Sequence, residues 1–183
     1  MAQKEVKPMK NEVSLKPVNS SNMDIYIQVG RISYVEHYLH LWENEDPTPY
    51  LSTSFTQEVV QKELEDPNAQ NYLVEWNDTV VGIVKLVKDR SLDEFTAEES
   101  LLAQKIYLLK AYSGKGIGKK VLQLIESYAQ GLNKKIVWLD TMQKGNPIHF
   151  YQKNGYEIKR AGEVKLPGAK PEEKPMWILT KQI

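Results

Sequence analysis

Ile106-Tyr107-Leu108-Leu109-Lys110-Ala111-Tyr112-Ser113-Gly114-Lys115-Gly116-Ile117-Gly118-Lys119 is the stretch of this 183-residue chain on which the fold turns. It closes an apolar run, Leu101–Leu109, that reads as a strand. It then passes through a Gly-x-Gly-x-Gly loop and opens a helix. In that helix Ile117, Val121, Leu124, Ile125, Tyr128, Ala129 and Leu132 form one apolar stripe, and Gly131 and Asn133 end it. Glycines let a backbone turn sharply and come close to a ligand, and the helix behind the loop points unpaired N–H groups into it. Together these make an anion site suited to phosphate. Lys110, Lys115, Lys119 and Lys120 add a local positive field. A Walker loop needs four residues between its glycines and then Lys-Ser/Thr; here three residues separate Gly114 from Gly118, and Lys119 precedes another lysine. A dinucleotide fingerprint needs Gly-x-Gly-x-x-Gly early in a βαβ unit, and neither spacing nor position agrees. A plain connecting turn would not need three spaced glycines, whose chain entropy is lost on folding.

On the N-terminal side of this stretch, Val13–Val18 reads as a short edge strand. Ser20, Ser21 or Asn22 caps a helix from about Met23 to His40, with Ile25, Val29, Ile32, Val35 and Leu39 as its apolar face. Asn44–Tyr50 is acidic with two prolines and reads as a loop. Phe55–Leu64 reads as a helix stopped by Pro67. Asn71–Val74 and Val80–Val87 form a hairpin around Asn77-Asp78. On the C-terminal side come a buried strand Ile136–Leu139 and a short helix from Asn146-Pro147 to Asn154, with Gly155 as its stop. Two last strands, Tyr156–Lys159 and Met176–Ile183, flank a polar loop Pro167–Pro175. Strands and helices alternate, so the class is α/β (α+β) on a mixed sheet.

Composition bounds the rest. The length and 41% hydrophobic content give one domain with an ample core, residues 13–183, behind a loose polar terminus, residues 1–12. Lys+Arg and Asp+Glu balance at 24 each, which argues against a nucleic-acid binder. The absence of Cys excludes disulfides, thiolate metal sites and a Cys nucleophile. The three His residues are scattered, so no metal is expected. No apolar run nears the ~18 residues of a membrane span, and residues 1–12 lack a secretory h-region. A soluble, cytoplasmic protein is the expectation.

The quoted stretch resembles the acetyl-CoA-binding motif of the Gcn5-related N-acetyltransferases (GNAT). Phe150-Tyr151-Gln152-Lys153-Asn154-Gly155-Tyr156 is similar to that family's second signature, a Tyr-bearing helix followed by Gly and an aromatic strand. Phe55-Thr56-Gln57 with Lys62-Glu63-Leu64 suggests the branch that includes PaiA-like polyamine acetyltransferases. The resemblance implies a twisted mixed sheet, mostly antiparallel, splayed at its centre and flanked by helices. It implies acetyl-CoA as cosubstrate, lying between the strand that ends near Leu109 and the strand Ile136–Leu139. The pantetheine would pair with backbone groups around Leu108, Leu109 and Lys110. The pyrophosphate would sit on N–H groups of Ser113, Gly114, Lys115, Gly116, Ile117, Gly118 and Lys119. Relatives are often dimers, which leaves a homodimer open. Where the family usually has Gln or Arg, this chain has Ser113, so one long polar contact is lost. Asn146 stands five positions before Tyr151, nearer than the family's CoA-contacting Asn, and reads equally as a helix cap.

Acetyl transfer from a thioester needs a neutral amine, a donor for the developing oxyanion and a proton for the leaving thiolate. No protein thiol is required. The resemblance implies Tyr151 as general acid; on periodicity alone it would be a core aromatic. Many relatives carry a Glu where this chain has Gln104, which can orient a water or amine but cannot take a proton. Asp140, at the end of the strand Ile136–Leu139, is the alternative carboxylate, or else a solvated strand-end acid. Glu43, Glu45 and Asp46 beside Trp42 and Tyr50 suit a cationic amine by charge and cation–π contact. The acceptor site is therefore expected between the first helices and the loops Asn44–Tyr50 and Pro167–Pro175, with a polyamine or other small amine as acceptor. A peptide N-acetyltransferase and a non-catalytic CoA-binding regulatory module are the alternatives.

Overall fold

The computed structural model describes residues 11–183. Most of the loose terminus expected over residues 1–12 therefore lies outside the described residues. Asn11 and Glu12 themselves are tied down: Trp76 Nε1 donates to Asn11 Oδ1 at 2.9 Å, and the Asn77 N–H donates to the Glu12 carbonyl at 3.1 Å.

Seven strands form one sheet in the order β1-β2-β3-β4-β5-β7-β6. They are β1 Val13–Pro17, β2 Ala69–Trp76, β3 Thr79–Val87, β4 Ser100–Leu108, β5 Ile136–Met142, β6 Glu157–Glu163 and β7 Pro175–Gln182. All neighbours are antiparallel except β4 and β5. The helices are α1 Met23–Tyr38, α2 Thr48–Ser54, α3 Gln57–Glu65, α4 Ile117–Gly131 and α5 Pro147–Lys153. The sheet separates two cores. Val81, Val84, Leu101, Val137 and Leu139 pack against Ile117, Val121 and Ile125 of α4 on one face. Leu73 and Ile83 pack with Tyr26, Trp42, Phe55 and Val60 on the other.

The β2–β3 hairpin closes at Asn77 and Asp78, both with positive φ, as a two-residue primed turn requires. The stretch 44–50 is not wholly a loop: Thr48–Ser54 is α2, because Pro47 and Pro49 sit at its start, where a missing N–H costs nothing. Phe55 is then excluded from the next helix, which Thr56 caps by accepting the Val59 N–H at 3.2 Å. On α1 the expected apolar face is rotated: Ile25 and Ile32 are each 44% exposed, while Tyr26, Gly30, Ser33 and Tyr34 are buried. The Phe55 ring explains part of this, since a Cβ at Gly30 would lie 2.2 Å from it. No helix among the described residues is long and apolar enough to cross a membrane.

The feature that shapes the site is a split in the sheet. Strands β4 and β5 are in register only over residues 100–102 and 136–138. Beyond that point β4 continues with β3 as far as Leu108, and β5 continues with β7 as far as Met142. The two halves of the sheet part and leave a wedge between them.

Candidate active site

A cavity of about 440 Å³ opens between the α1–α3 layer and the parted strands. Gln104, Asp140 and Tyr151, separate in sequence, all line it. Each arrives by a different device. Gln104 is the extra residue of a β-bulge: Lys85 is opposite Lys105 and Leu86 opposite Ala103, so nothing on β3 pairs with it. A bulge turns a side chain out of the regular alternation. Asp140 lies inside β5, not at its end, because the strand continues through Thr141 and Met142. Its carboxylate is open to the cavity, but the surrounding walls withdraw it from bulk water and raise its pKa. Tyr151 projects from α5, and burial raises its pKa, with Tyr38 and Asp140 adding to the effect.

A group of tyrosines covers the opposite wall. Tyr34 stacks on Tyr50 at 4.0 Å, Tyr38 and Tyr34 each lie 5.7 Å from Tyr107, and the Tyr50 and Tyr107 hydroxyls are 2.6 Å apart. Burial pushes Tyr50 up to about 12, so these rings stay neutral at physiological pH. Their π faces and the Asp140 carboxylate form a surface that attracts a cation. At the α3 end of the same cavity lie Glu63, Lys85 and Lys105. Lys85 Nζ reaches Glu63 Oε1 at 2.5 Å and Lys105 Nζ reaches it at 3.4 Å. Lys105 also donates to the Ser54 carbonyl at 3.2 Å. Burial lowers Lys105 to about 8, with Glu63 pulling the other way and Lys85 adding to the depression.

The glycine loop stands outside this cavity. Gly116 caps α4 in the left-handed region with φ +78, and no side chain caps the helix. The first N–H groups of a helix have no intrahelical acceptor, so this end is open to an anion. A Cβ at Gly114 or Gly116 would meet nothing within 4 Å; the loop is clear on its outer side. Ser113, Gly114, Lys115, Gly116 and Lys119 are exposed, whereas the Ile117 side chain is core, leaving only its backbone for a ligand. Lys115 lies over the Trp76 and Tyr112 rings at 5.3 and 5.1 Å, and Lys120 donates to the Asn11 carbonyl. Helix α5 links loop and cavity: Phe150 packs where Gly118 lacks a Cβ, 3.1 Å from that position, and the next residue is Tyr151.

At the end of β4 the Leu108 carbonyl accepts from His37 Nε2 at 3.0 Å, and the Lys110 N–H donates to Glu36 Oε2 at 2.7 Å. The Leu109 N–H donates to the Val81 carbonyl at 2.9 Å. Side chains of α1 therefore hold the Leu108 carbonyl and the Lys110 N–H. Asn146 stands exposed at the start of α5 but makes no side-chain cap. Glu43, Glu45 and Asp46 are exposed and do not line the cavity, and Trp42 is 1% exposed, in the core. Of the stretch 44–50, Tyr50 alone lines the cavity. Residues 163–166, rather than 167–175, supply the other rim; the latter dock on residues 41–43 through the Gly168 carbonyl and the Lys170 N–H. Of the tyrosine group the sequence pointed only to Tyr50 as an acceptor-site aromatic; Tyr34, Tyr38, Tyr107 and the Lys85–Glu63–Lys105 cluster emerge only in the fold. Tyr34 and Tyr38 at i, i+4 were the one local signal of a shared helix face.

Comparison with known proteins places these features in context. A model of the acetyltransferase (GNAT) family matches residues 35–156. An N-acetyltransferase encoded in the pepI 3' region of Lactobacillus delbrueckii subsp. lactis is 22% identical over 144 residues, 78% of this chain and 83% of that protein. The crystal structure of PaiA N-acetyltransferase from Thermoplasma acidophilum in complex with coenzyme A superposes with a TM-score of 0.72 at 16% identity, covering 94% of this chain and 99% of that one. Spermidine/spermine N-acetyltransferase SpeG from Vibrio cholerae, in complex with manganese ions, gives 0.66 at 15% identity, covering 93% and 92%.

Proposed function

The chain belongs to the acetyltransferase (GNAT) family, and from that membership we propose that it moves an acetyl group from acetyl-CoA directly to the primary amine of a small molecule. The observation that carries the reading is the convergence of Asp140, Tyr151 and Gln104 on one cavity, beside a wedge that opens toward an uncapped helix N-terminus. Acetyl-CoA fits this chain: the clear space over Gly114 and Gly116 admits a polyphosphate to the open end of α4. When bound, it supplies the activated acyl group. Backbone N–H groups of residues 113–119 would hold its pyrophosphate. The backbone around Leu108, Leu109 and Lys110 would hold its arm once His37 and Glu36 give way.

Asp140 is the general base. Its raised pKa makes it a better proton acceptor for an ammonium than an ordinary surface carboxylate. The tyrosine wall receives the amine and excludes water. Gln104 orients the amine or a water through its amide. Tyr151 holds a proton on Oη for the leaving sulfur, and its raised pKa keeps that proton in place at neutral pH.

The spermidine/spermine N-acetyltransferase SpeG among the similar structures keeps polyamines in the acceptor panel, although the acidic residues 43, 45 and 46 lie off the cavity. The test is release of free thiol from acetyl-CoA with a panel of small amines, polyamines and peptides. Amine-dependent release with small amines is expected. Release with peptides alone would make the protein a peptide acetyltransferase; tight CoA binding with no release would make it a binding module.

A further inference from the structure

The acceptor cavity has two chemically different ends. One end, at Asp140 and the tyrosines, suits an ammonium. The other holds two lysines against one carboxylate. Glu63 Oε1 accepts from both Lys85 and Lys105, and Glu63 Oε2 accepts from Asn71 Nδ2 at 2.9 Å. Its oxygens are thus engaged, and no other carboxylate among the described residues pairs with either lysine. Lys85 has Glu63 as its one side-chain partner among the described residues, which leaves N–H donors of its ammonium unspent in a polar pocket. Buried charge without a counter-ion is costly, so this end is short of one negative charge. Lys105 and Tyr107 lie two residues apart on β4, which places the lysine end roughly 7 Å along the strand from the tyrosine wall.

Resting on the acetyl-transfer reading above, we propose that the natural acceptor is an amine that also carries a carboxylate a few bonds away, with the amine at Asp140 and the carboxylate on Lys85 and Lys105. A second ammonium at the lysine end would meet like charge and a carboxylate already engaged. A diamine or polyamine is therefore the disfavoured acceptor.

A length-matched series tests this: ω-amino acids of three to six carbons and acidic α-amino acids, against alkylamines and diamines of the same lengths, with thiol release as readout. The carboxylate-bearing amines should exceed their neutral and cationic counterparts by about ten- to hundredfold in kcat/KM. Equal or better turnover of the alkylamines or diamines overturns the inference while leaving acetyl transfer intact. Absence of release with every amine overturns acetyl transfer to small amines, and this inference with it. In the Lys85→Met variant, checked for folding by thermal melting, the ratio between matched carboxylate and neutral acceptors should fall toward one, and Lys85→Arg should restore it. An unchanged ratio in Lys85→Met also overturns the assignment.

Discussion

Asp140 and Tyr151 lie close enough for the charge of one to raise the pKa of the other, and each has a separate expected signature. Replacing Tyr151 by Phe removes only a hydroxyl from a half-buried ring. Turnover should fall by roughly 10²-fold with acetyl-CoA affinity little changed; full steady-state activity would remove the acid role. Asp140 has a raised pKa through burial, so it becomes a base only as pH rises through that raised value. Asp140→Asn should abolish this ascending limb of kcat/KM, and an unshifted limb would remove Asp140 from the mechanism. Stability should move the other way. The folded state binds more protons than the unfolded state between the ordinary carboxylate pKa and the raised one, so stability falls as pH rises through that window. At neutral pH the charged Asp140 is a cost to the fold, and Asp140→Asn should melt at a higher temperature than the parent, with the gap closing under acid. These residues were legible because each sits in or beside a local motif. The tyrosine wall was legible only at Tyr50, because Tyr34, Tyr50 and Tyr107 come from two helices and a strand and meet only through the fold.

The glycine loop and α4 show how much an element can disclose. Of the stripe expected from Ile117, Val121, Leu124, Ile125, Tyr128, Ala129 and Leu132, α4 buries Ile117, Val121, Ile125 and Ala129 and adds Leu122, while Leu124 and Tyr128 are half-buried and Leu132, just past the helix, is exposed. The loop's geometry follows from the residue types: Gly114 and Gly116 both have positive φ, which costs a residue with a Cβ about 1–2 kcal/mol. Since a Cβ at Gly116 would meet open space, Gly116→Ala carries that conformational cost without a clash. The melting temperature should fall by about 2–8 °C, and the KM for acetyl-CoA should rise as the first N–H groups of α4 are re-aimed. A variant with an unchanged KM would show that the loop is not the pyrophosphate site. Helix α1 was legible in extent but not in face. Its spacing of Ile and Val gave one stripe, yet the buried side is built from Tyr26, Gly30, Ser33 and Tyr34. Periodicity weighs residues by hydrophobicity alone, and a helix that must admit the Phe55 ring and line a polar cavity selects small residues and tyrosines instead. Helix α2 was missed for a related reason: Pro47 and Pro49 signal a break in mid-chain but fit the first turn of a helix.

At the scale of the molecule, the split sheet joins structure to function. Two half-sheets, β1 to β4 and β5-β7-β6, meet in register over three residue pairs. Fewer backbone bonds cross that seam than cross any interior of either half, so it is the natural place for a ligand to add stability. The sequence disclosed the two strands that bound the wedge but not their short register, because pairing across a parallel crossover depends on how α4 packs and not on either strand alone. A cosubstrate that lies in the wedge binds the folded state only. Its contribution is RT ln(1 + [L]/Kd), about 2.7 kcal/mol at a hundredfold excess over Kd. For a domain of this length that is a rise in melting temperature of roughly 5–10 °C. CoA or acetyl-CoA should produce it in a thermal melt, and amide exchange should slow in β4 beyond residue 102 and in residues 113–119, the parts not paired across the seam. The Lys110 N–H gives the sharpest local reading. Glu36 holds it in the structure described here, so its exchange and chemical shift should change when the arm of the cosubstrate takes the place of that carboxylate. A thermal rise with protection confined to β1 and β2 would place the ligand elsewhere and would overturn the wedge as its site.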